Sequence, residues 1–269
     1  MHDILHRGFR FLIFLLGLGT LLIPVEDVRA IPYQLLENEA AILIGRNETE
    51  IRYNFHRDYG LIPTDLLRLH LRYGVFSWME MRVGGTYADF TEEGEQRHAE
   101  SFFTLKFSLF NLVGYQFFTY LKLRKVEGEP VFVDINDLGN VTRAVSPYAD
   151  QGQDGAIGIL ARQDNYYSGF AVTLGLEYML ATNRNYGDFL EDEDVFSLLV
   201  APQWLTAGRT LMLAVENKYS YWVERGGYLE ILPQIRWEFY PQAVVEAGVM
   251  LQMVGARSAR SIIGFTYEF

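Results

Sequence analysis

Apolar and polar side chains alternate with a period of two from Thr49 to the last residue. In Leu67–Tyr73, leucine or tyrosine at every odd position alternates with arginine or histidine. Successive side chains of a β-strand point to opposite faces, so this pattern predicts strands with one apolar and one polar face. About twelve segments of roughly ten residues follow, the length that a tilted strand needs to cross a bilayer. The sequence therefore predicts an all-β fold, a transmembrane up-and-down antiparallel β-barrel of about twelve strands.

The connections between these segments alternate between short and long. When both termini are periplasmic, every second connection of such a barrel is a tight turn and the others are outer loops. Gln163–Ser168 is an exception, since it is longer than the other connections of the inner set. The inner connections are otherwise short, at Gly74–Ser77, Asn111–Gly114, Thr206–Arg209 and Tyr240–Ala243, and the outer ones are long and polar, at Asp89–Glu100, Lys125–Asp154 and Thr182–Asp194.

Two positions interrupt the regular pattern. The outer loop at about 125–154 is long for a segment without structure of its own. Val131–Ile135 within it could be a strand, which leaves the count open between twelve and fourteen. Pro233 lies in the middle of a predicted strand. Because proline cannot donate to the ladder, we expect a β-bulge there.

The first thirty residues have the composition of a secretory signal peptide. Arg7 and Arg10 precede an apolar run over Phe11–Val25, and Val28–Ala30 offers small residues for cleavage. A membrane-anchoring helix is the alternative, but the run is shorter than the roughly 20 residues that a spanning helix needs. We predict that residues 1–30 are removed and that residues 31–269, beginning at Ile31, form the barrel.

The last strand carries a second export feature. Ile263, Phe265, Tyr267 and Phe269 alternate up to a terminal aromatic residue. This pattern resembles the terminal signal by which the barrel-assembly machinery recognises outer-membrane proteins. Together with the signal peptide, it predicts an integral protein of the bacterial outer membrane, with outer-membrane lipid and the assembly machinery as partners.

Composition excludes several classes of function. The net charge of −11 argues against nucleic acid as a partner, and the absence of cysteine excludes disulfides and thiolate metal sites. No Gly-x-Ser-x-Gly motif is present. His56 and His70 could meet on adjacent strands, but a metal site would need a third ligand. Glu191–Asp194 lacks the spaced ligands of a calcium loop. We predict no catalytic residues, no metal and no cofactor.

The polar faces of the strands should line the barrel interior, because lipid contacts the apolar faces. On strands two to five the polar faces are basic, with Glu80 as the only acidic residue. On strands seven to twelve most charged residues of the polar faces are acidic, Glu268 among them. This predicts a basic wall opposite an acidic one. Alternatively, the charges pair across a narrow interior and fill it. The candidate lining residues are Arg52, His56, Arg68, His70, Arg72, Arg82, Lys106, Lys122, Glu177, Glu216, Glu230, Arg236, Glu238 and Glu246.

Three stretches resemble the outer-membrane barrel family named for the meta-pathway of phenol degradation. Gly45–Ile51 is similar to the family's step into its first strand, and Asp65–Val83 to its second and third strands with their tight turn. The last two strands, which end in Gly264–Phe269, are similar to its closing hairpin. The middle of the chain, at 125–154, departs from the family's pattern. The resemblance implies a barrel that passes small solutes, aromatic ones among them, and it implies no catalytic residues.

Two functions are consistent with these features. The first is a pore or passive transporter for small solutes, aromatic ones included. The second is a closed structural or adhesive barrel whose long outer loops bind a partner. Barrels of eight strands have interiors filled by side chains and barrels of sixteen enclose channels. A twelve-stranded barrel lies between them, so the strand count alone does not separate the two functions.

Overall fold

The fold is described here from a computed structural model. No helix in the described part of the chain is long and apolar enough to cross a membrane. The predicted signal peptide, cleavage site and chain start at Ile31 lie outside the described residues and stay predictions. The structure describes residues 43–59, 64–90, 95–112, 114–126, 132–136, 141–145, 152–165, 168–182, 185–186, 189–190, 194–206, 210–222, 226–253 and 259–269.

Twelve long strands form a closed antiparallel barrel, as the sequence predicts. Each pairs with its neighbours along the chain, and the first strand closes the barrel against the last. Four short strands form two separate hairpins outside the barrel sheet. The strands are β1 (Thr49–Asp58), β2 (Thr64–Phe76), β3 (Met79–Phe90), β4 (Glu95–Leu112), β5 (Tyr115–Val126), β6 (Phe132–Asn136), β7 (Val141–Val145), β8 (Gly152–Asn165), β9 (Phe170–Thr182), β10 (Asn185–Tyr186), β11 (Phe189–Leu190), β12 (Val195–Leu205), β13 (Leu211–Trp222), β14 (Gly226–Tyr240), β15 (Ala243–Gln252) and β16 (Ala259–Glu268).

The closing seam joins β1 to β16 over its whole length. The register runs from Glu50 opposite Glu268 to Asp58 opposite Arg260. At the periplasmic end, the backbone N–H of Thr49 donates to the carbonyl of Phe269, and the N–H of Phe269 donates back, both at 2.8 Å. The seam therefore leaves no open sheet edge there, as a strand in lipid requires.

The polarity of the barrel is inverted relative to a soluble protein. On β1, Tyr53 and Phe55 are 46% and 45% exposed, whereas Asn54 and His56 between them are fully buried. The same alternation continues through the other long strands. An apolar surface of this extent needs a lipid bilayer, and a polar interior is typical of outer-membrane barrels. The predicted integral outer-membrane location is thus confirmed by the barrel and its apolar belt.

Aromatic pairs mark the periplasmic rim of this belt. Phe76 and Trp78 stack at 5.2 Å beside the turn between β2 and β3, and Phe170 lies 5.4 Å from Trp204. Such girdles sit at the level of the lipid headgroups. The short turns lie beside these pairs, and in outer-membrane barrels such turns are on the periplasmic side.

The structure settles the open strand count at twelve. β6 and β7 form a hairpin that pairs with no barrel strand, so the strand predicted at Val131–Ile135 does not enlarge the barrel. The predicted exception at Gln163–Ser168 is wrong, because β8 continues to Asn165 and the connection is short. The alternation of short and long connections thus holds at this position as well.

The predicted bulge at Pro233 is also wrong. Pro233 lies opposite Val215 of β13 in regular register, and the register with β15 is the same on both sides of it. The register shift of this strand lies instead at Glu238 and Tyr240. The sheet accommodates the proline because no ladder pair forms between Pro233 and β15. The missing backbone N–H therefore does not shift the register of the two strands.

Candidate functional site in the barrel interior

Two residues shortly before β1, Leu43 and Ile44, lie inside the periplasmic half of the barrel. Ile44 is 1% exposed and packs against apolar side chains of β9, β12 and β13. Its backbone N–H donates to Glu80 Oε2 of β3 at 3.1 Å, so this residue spans the interior between two walls. Leu43 packs against Phe118 and Leu160. We call Leu43–Glu48 the entry segment.

A glycine gives the entry segment room to pass β2. A Cβ added at Gly74 would lie 1.9 Å from the carbonyl oxygen of Gly45. The N–H of Gly74 donates to the carbonyl of Glu48 at 3.0 Å, and the N–H of Asn47 donates to the carbonyl of Gly74 at 2.8 Å. Asn47 has a φ of 64°, a conformation that asparagine tolerates better than most residues. Gly74 therefore allows this backbone approach, which a side chain would prevent.

Glu80 is the centre of a buried ion-pair network next to the entry segment. It is 2% exposed and accepts from Arg72 at 2.7 Å and from Lys106 at 2.8 Å, in addition to the N–H of Ile44. Arg72 also binds Glu50 at 3.1 Å. Buried charges are stable only when they are paired and hydrogen-bonded. The network therefore holds the entry segment to the wall through Glu80.

A second network lies across the closing seam and joins β1 to β15 and β14. Arg52 donates to both carboxylate oxygens of Glu246, at 2.5 and 2.8 Å, and Arg236 lies 3.0 Å from the same group. Bidentate pairs of this kind are strong and geometrically specific. All three side chains are almost completely buried. The periplasmic half of the interior is thus filled by paired charges and by the entry segment.

The outer half of the interior contains a cavity of about 190 Å³. Glu100 lies 3.2 Å from Arg68 and 3.5 Å from Arg124, which also pairs with Asp154. The cavity is lined by Arg68, His70, Arg82, Glu100, Phe102, Tyr120, Lys122, Arg124, Leu160, Gly175, Leu176, Glu177, Ser197, Leu199, Glu216, Lys218, Glu230, Leu232, Met250 and Arg260.

The candidate lining residues predicted from the sequence divide between these two halves. Their part in transport stays a prediction. One group is buried among the paired charges or beside them: Arg52, His56, Arg72, Lys106, Arg236 and Glu246. A second group lies along the cavity: Arg68, His70, Arg82, Lys122, Glu177, Glu216 and Glu230. Glu238 is half-buried near the periplasmic end of β14.

The two histidines do not meet. In the pairing of β1 with β2, His56 lies opposite Leu66, and His70 lies opposite Arg52, four residues further along. The ring of His70 instead contacts Phe102 edge-on, with centroids 4.9 Å apart. Among the described residues, no group of histidines and carboxylates is arranged to hold a metal ion.

The predicted pairing of charges differs from the observed one. Glu80 is not the only inward acid on the basic strands, because Glu100 of β4 also faces the interior. The sequence analysis placed Glu100 in an outer connection, since β4 extends well beyond the length needed to cross lipid. Glu100 and Lys106 are an even number of positions apart on one strand, so their side chains point to the same face. This spacing could have revealed that Glu100 faces the interior. The ion pairs described above, and that of Lys218 with Glu177 at 3.4 Å, join neighbouring or next-but-one strands and do not cross the interior.

The entry segment was missed as well. Its sequence carries no alternation, so it resembles an ordinary coil before the first strand. The available signal was Gly74, a residue without a side chain at an inward position of β2. Asp154 was assigned to the long outer loop, although it belongs to β8, and Arg124 of β5 was not among the predicted lining residues.

Comparison with known proteins identifies the fold. No protein-family model matches the chain, and no curated protein matches it. Among solved structures, the COG4313 outer membrane channel from Pseudomonas putida F1 has a TM-score of 0.61 at 9% identity, over 90% of this chain and 100% of its own. The NanC porin has a TM-score of 0.59 at 7% identity, over 81% and 98%. The KdgM porin has a TM-score of 0.56 at 9% identity, over 82% and 99%.

These likenesses extend over nearly the whole of each known channel. At identities of 10% or less they concern the path of the chain and carry no residue-by-residue correspondence. The resemblance to the meta-pathway family therefore stays a prediction. The chain has the twelve-stranded barrel fold of outer-membrane channels.

Proposed function

We propose that this protein is a non-catalytic outer-membrane pore for small solutes. The observation that carries the proposal is the charged cavity in the outer half of a closed barrel. A barrel that served only as a structural shell could be filled by side chains throughout, whereas this interior keeps a space of about 190 Å³. The channels of the same fold support this function, and one of them, the KdgM porin, has been solved in complex with oligogalacturonate.

Aromatic solutes are the finer part of this proposal. The resemblance of Gly45–Ile51 and the closing strand to the meta-pathway family implies them. The cavity adds Phe102 and Tyr120 on one wall and apolar side chains of β12, β14 and β15 on the other. Aromatic and apolar side chains beside placed polar groups are features of sites for small organic molecules.

The filled periplasmic half favours the second candidate function, a closed barrel whose outer loops bind a partner. Ile44, Glu80 and their buried contacts occupy the interior at this level. If the protein is a pore, the side chains at this level have a different consequence. The entry segment then forms the narrowest cross-section of the pore, and the passage of a solute depends on how far this segment can move aside.

Liposome swelling separates the two functions. Vesicles that contain the refolded protein are transferred to iso-osmotic solutions of arabinose or stachyose, and light scattering reports solute entry. A pore for small solutes admits arabinose faster than stachyose, which is the larger sugar. Vesicles with heat-denatured protein are the control. If the folded protein gives swelling no faster than this control, the closed barrel is the function of the chain.

A further inference from the structure

Two aromatic rings shape the wall of the outer cavity. A Cβ added at Gly84 would lie 2.4 Å from the Phe102 ring, and one added at Gly158 would lie 2.1 Å from the Tyr120 ring. Each ring therefore lies against the backbone of the neighbouring strand, where a larger residue would push it into the interior. The hydroxyl of Tyr120 donates to Glu177 at 2.7 Å, which fixes this ring further. The glycines thus keep the space in front of both rings open.

Positive charge is concentrated on the same side of the cavity. The guanidinium carbon of Arg82 lies 5.2 Å from the centre of the Phe102 ring. Lys122 and Arg124 follow on β5, two and four residues from Tyr120. Around the cavity as a whole there are six cationic side chains and four carboxylates, although the chain carries a net charge of −11.

Part of the cavity wall is apolar and adjoins the entry segment. Leu160 and Leu199 belong both to the cavity wall and to the apolar clusters around the entry segment. Leu232 and Met250 pack together on β14 and β15. The cavity therefore combines charged side chains with an apolar surface next to the entry segment.

We propose that this cavity is a binding subsite for a small organic anion with a flat apolar body. The carboxylate would lie near Arg82 and Lys122, and the body would lie against Phe102 and Tyr120. The volume of about 190 Å³ is below the roughly 300–1,000 Å³ of sites for drug-sized ligands, so only a small solute fits. This proposal names the solute class of the proposed pore and rests on that function.

The test compares three probes that separate charge from shape. Benzoate has both features, benzamide has the ring without the charge, and acetate has the charge without the ring. Isothermal titration of the folded protein in detergent should give a benzoate Kd at least tenfold lower than that of either other probe. Equal Kd values for benzoate and benzamide would overturn the proposed role of the positive charges. Equal Kd values for benzoate and acetate would overturn the proposed role of the aromatic rings.

Variants locate the binding site. Lys122→Gln and Arg82→Gln should each weaken benzoate binding tenfold or more, and Phe102→Leu should weaken benzoate more than acetate. Lys125→Gln is the matched control, because Lys125 is exposed on the outer side of the same strand. Lys122→Gln is the decisive variant, since Lys122 is only half-buried and its loss should leave the fold intact. Unchanged binding in a folded Lys122→Gln protein would overturn the proposal.

The swelling assay distinguishes failure of the subsite from failure of the pore. Swelling with arabinose but no preference for benzoate would overturn the subsite and leave the pore in place. Benzoate binding without swelling would overturn the pore and show a barrel that only binds the anion.

Discussion

Neutralising Glu80 should destabilise the barrel strongly. In Glu80→Gln the neutral amide replaces a carboxylate that accepts from Arg72, Lys106 and the N–H of Ile44 at 2.7–3.1 Å. Each hydrogen bond to a charged group contributes about 1.5–3 kcal/mol, and removing one member of a buried ion pair costs about 3–5 kcal/mol. Arg72 keeps its contact with Glu50, so we expect a loss of about 3–5 kcal/mol and not the sum of all contacts.

Urea unfolding in lipid vesicles, followed by tryptophan fluorescence, measures this loss as a lower transition midpoint at unchanged slope. Asp65→Asn is the control. Its partner Arg57 is 3.5 Å away, and the two side chains are 45% and 22% exposed, so the loss should stay below about 1 kcal/mol. If Glu80→Gln cost no more than this control, water would be replacing the lost contacts. The periplasmic half of the interior would then not be filled.

Three further predictions concern assembly and orientation. The folded protein should migrate faster on a gel when unheated, and a soluble periplasmic product would contradict a membrane barrel. Deletion of Phe269 removes the terminal aromatic residue and two backbone hydrogen bonds to Thr49, so it should slow the appearance of the fast-migrating form severalfold in pulse-chase experiments. A cysteine at Tyr59 should react with an impermeant maleimide on intact cells, whereas one at Gln242 in a periplasmic turn should not; the reverse pattern would mean that the orientation is inverted.

The sequence predicts the barrel well because its evidence is local. Alternation in a segment such as Leu67–Tyr73 assigns each side chain to lipid or interior without knowledge of any partner strand. A polar residue in such a strand must face inward, whatever it contacts. The approximate number of barrel strands and the alternation of inner and outer connections follow from the same local pattern, whereas the choice between twelve and fourteen strands needed the pairing of β6 with β7.

The contacts inside the barrel could not be predicted in this way. Whether Arg72 binds Glu50, Glu80 or a residue across the interior depends on the register and shear of the closed sheet, which no single strand encodes. The entry segment depends on a fit between Gly45 and Gly74, two residues that are distant in sequence and carry no side chains. Gly84 and Gly158 lie against the rings of Phe102 and Tyr120, and this contact becomes apparent only when the strands are paired.

In the proposed pore, the entry segment is the narrowest part. In Gly74→Val, the new side chain would collide with the carbonyl of Gly45, where even a Cβ would lie at 1.9 Å, and should displace this segment. Gly155→Val is the control, because a Cβ there meets only Leu123 at 4.0 Å.

Single-channel conductance in planar bilayers measures the consequence most directly. We predict stable current steps for the wild type, steps at least twofold larger for Gly74→Val, and wild-type steps for Gly155→Val. Steps of equal size in all three proteins would contradict the entry segment as the constriction. Silence in all three, with folded protein inserted, would contradict the pore itself.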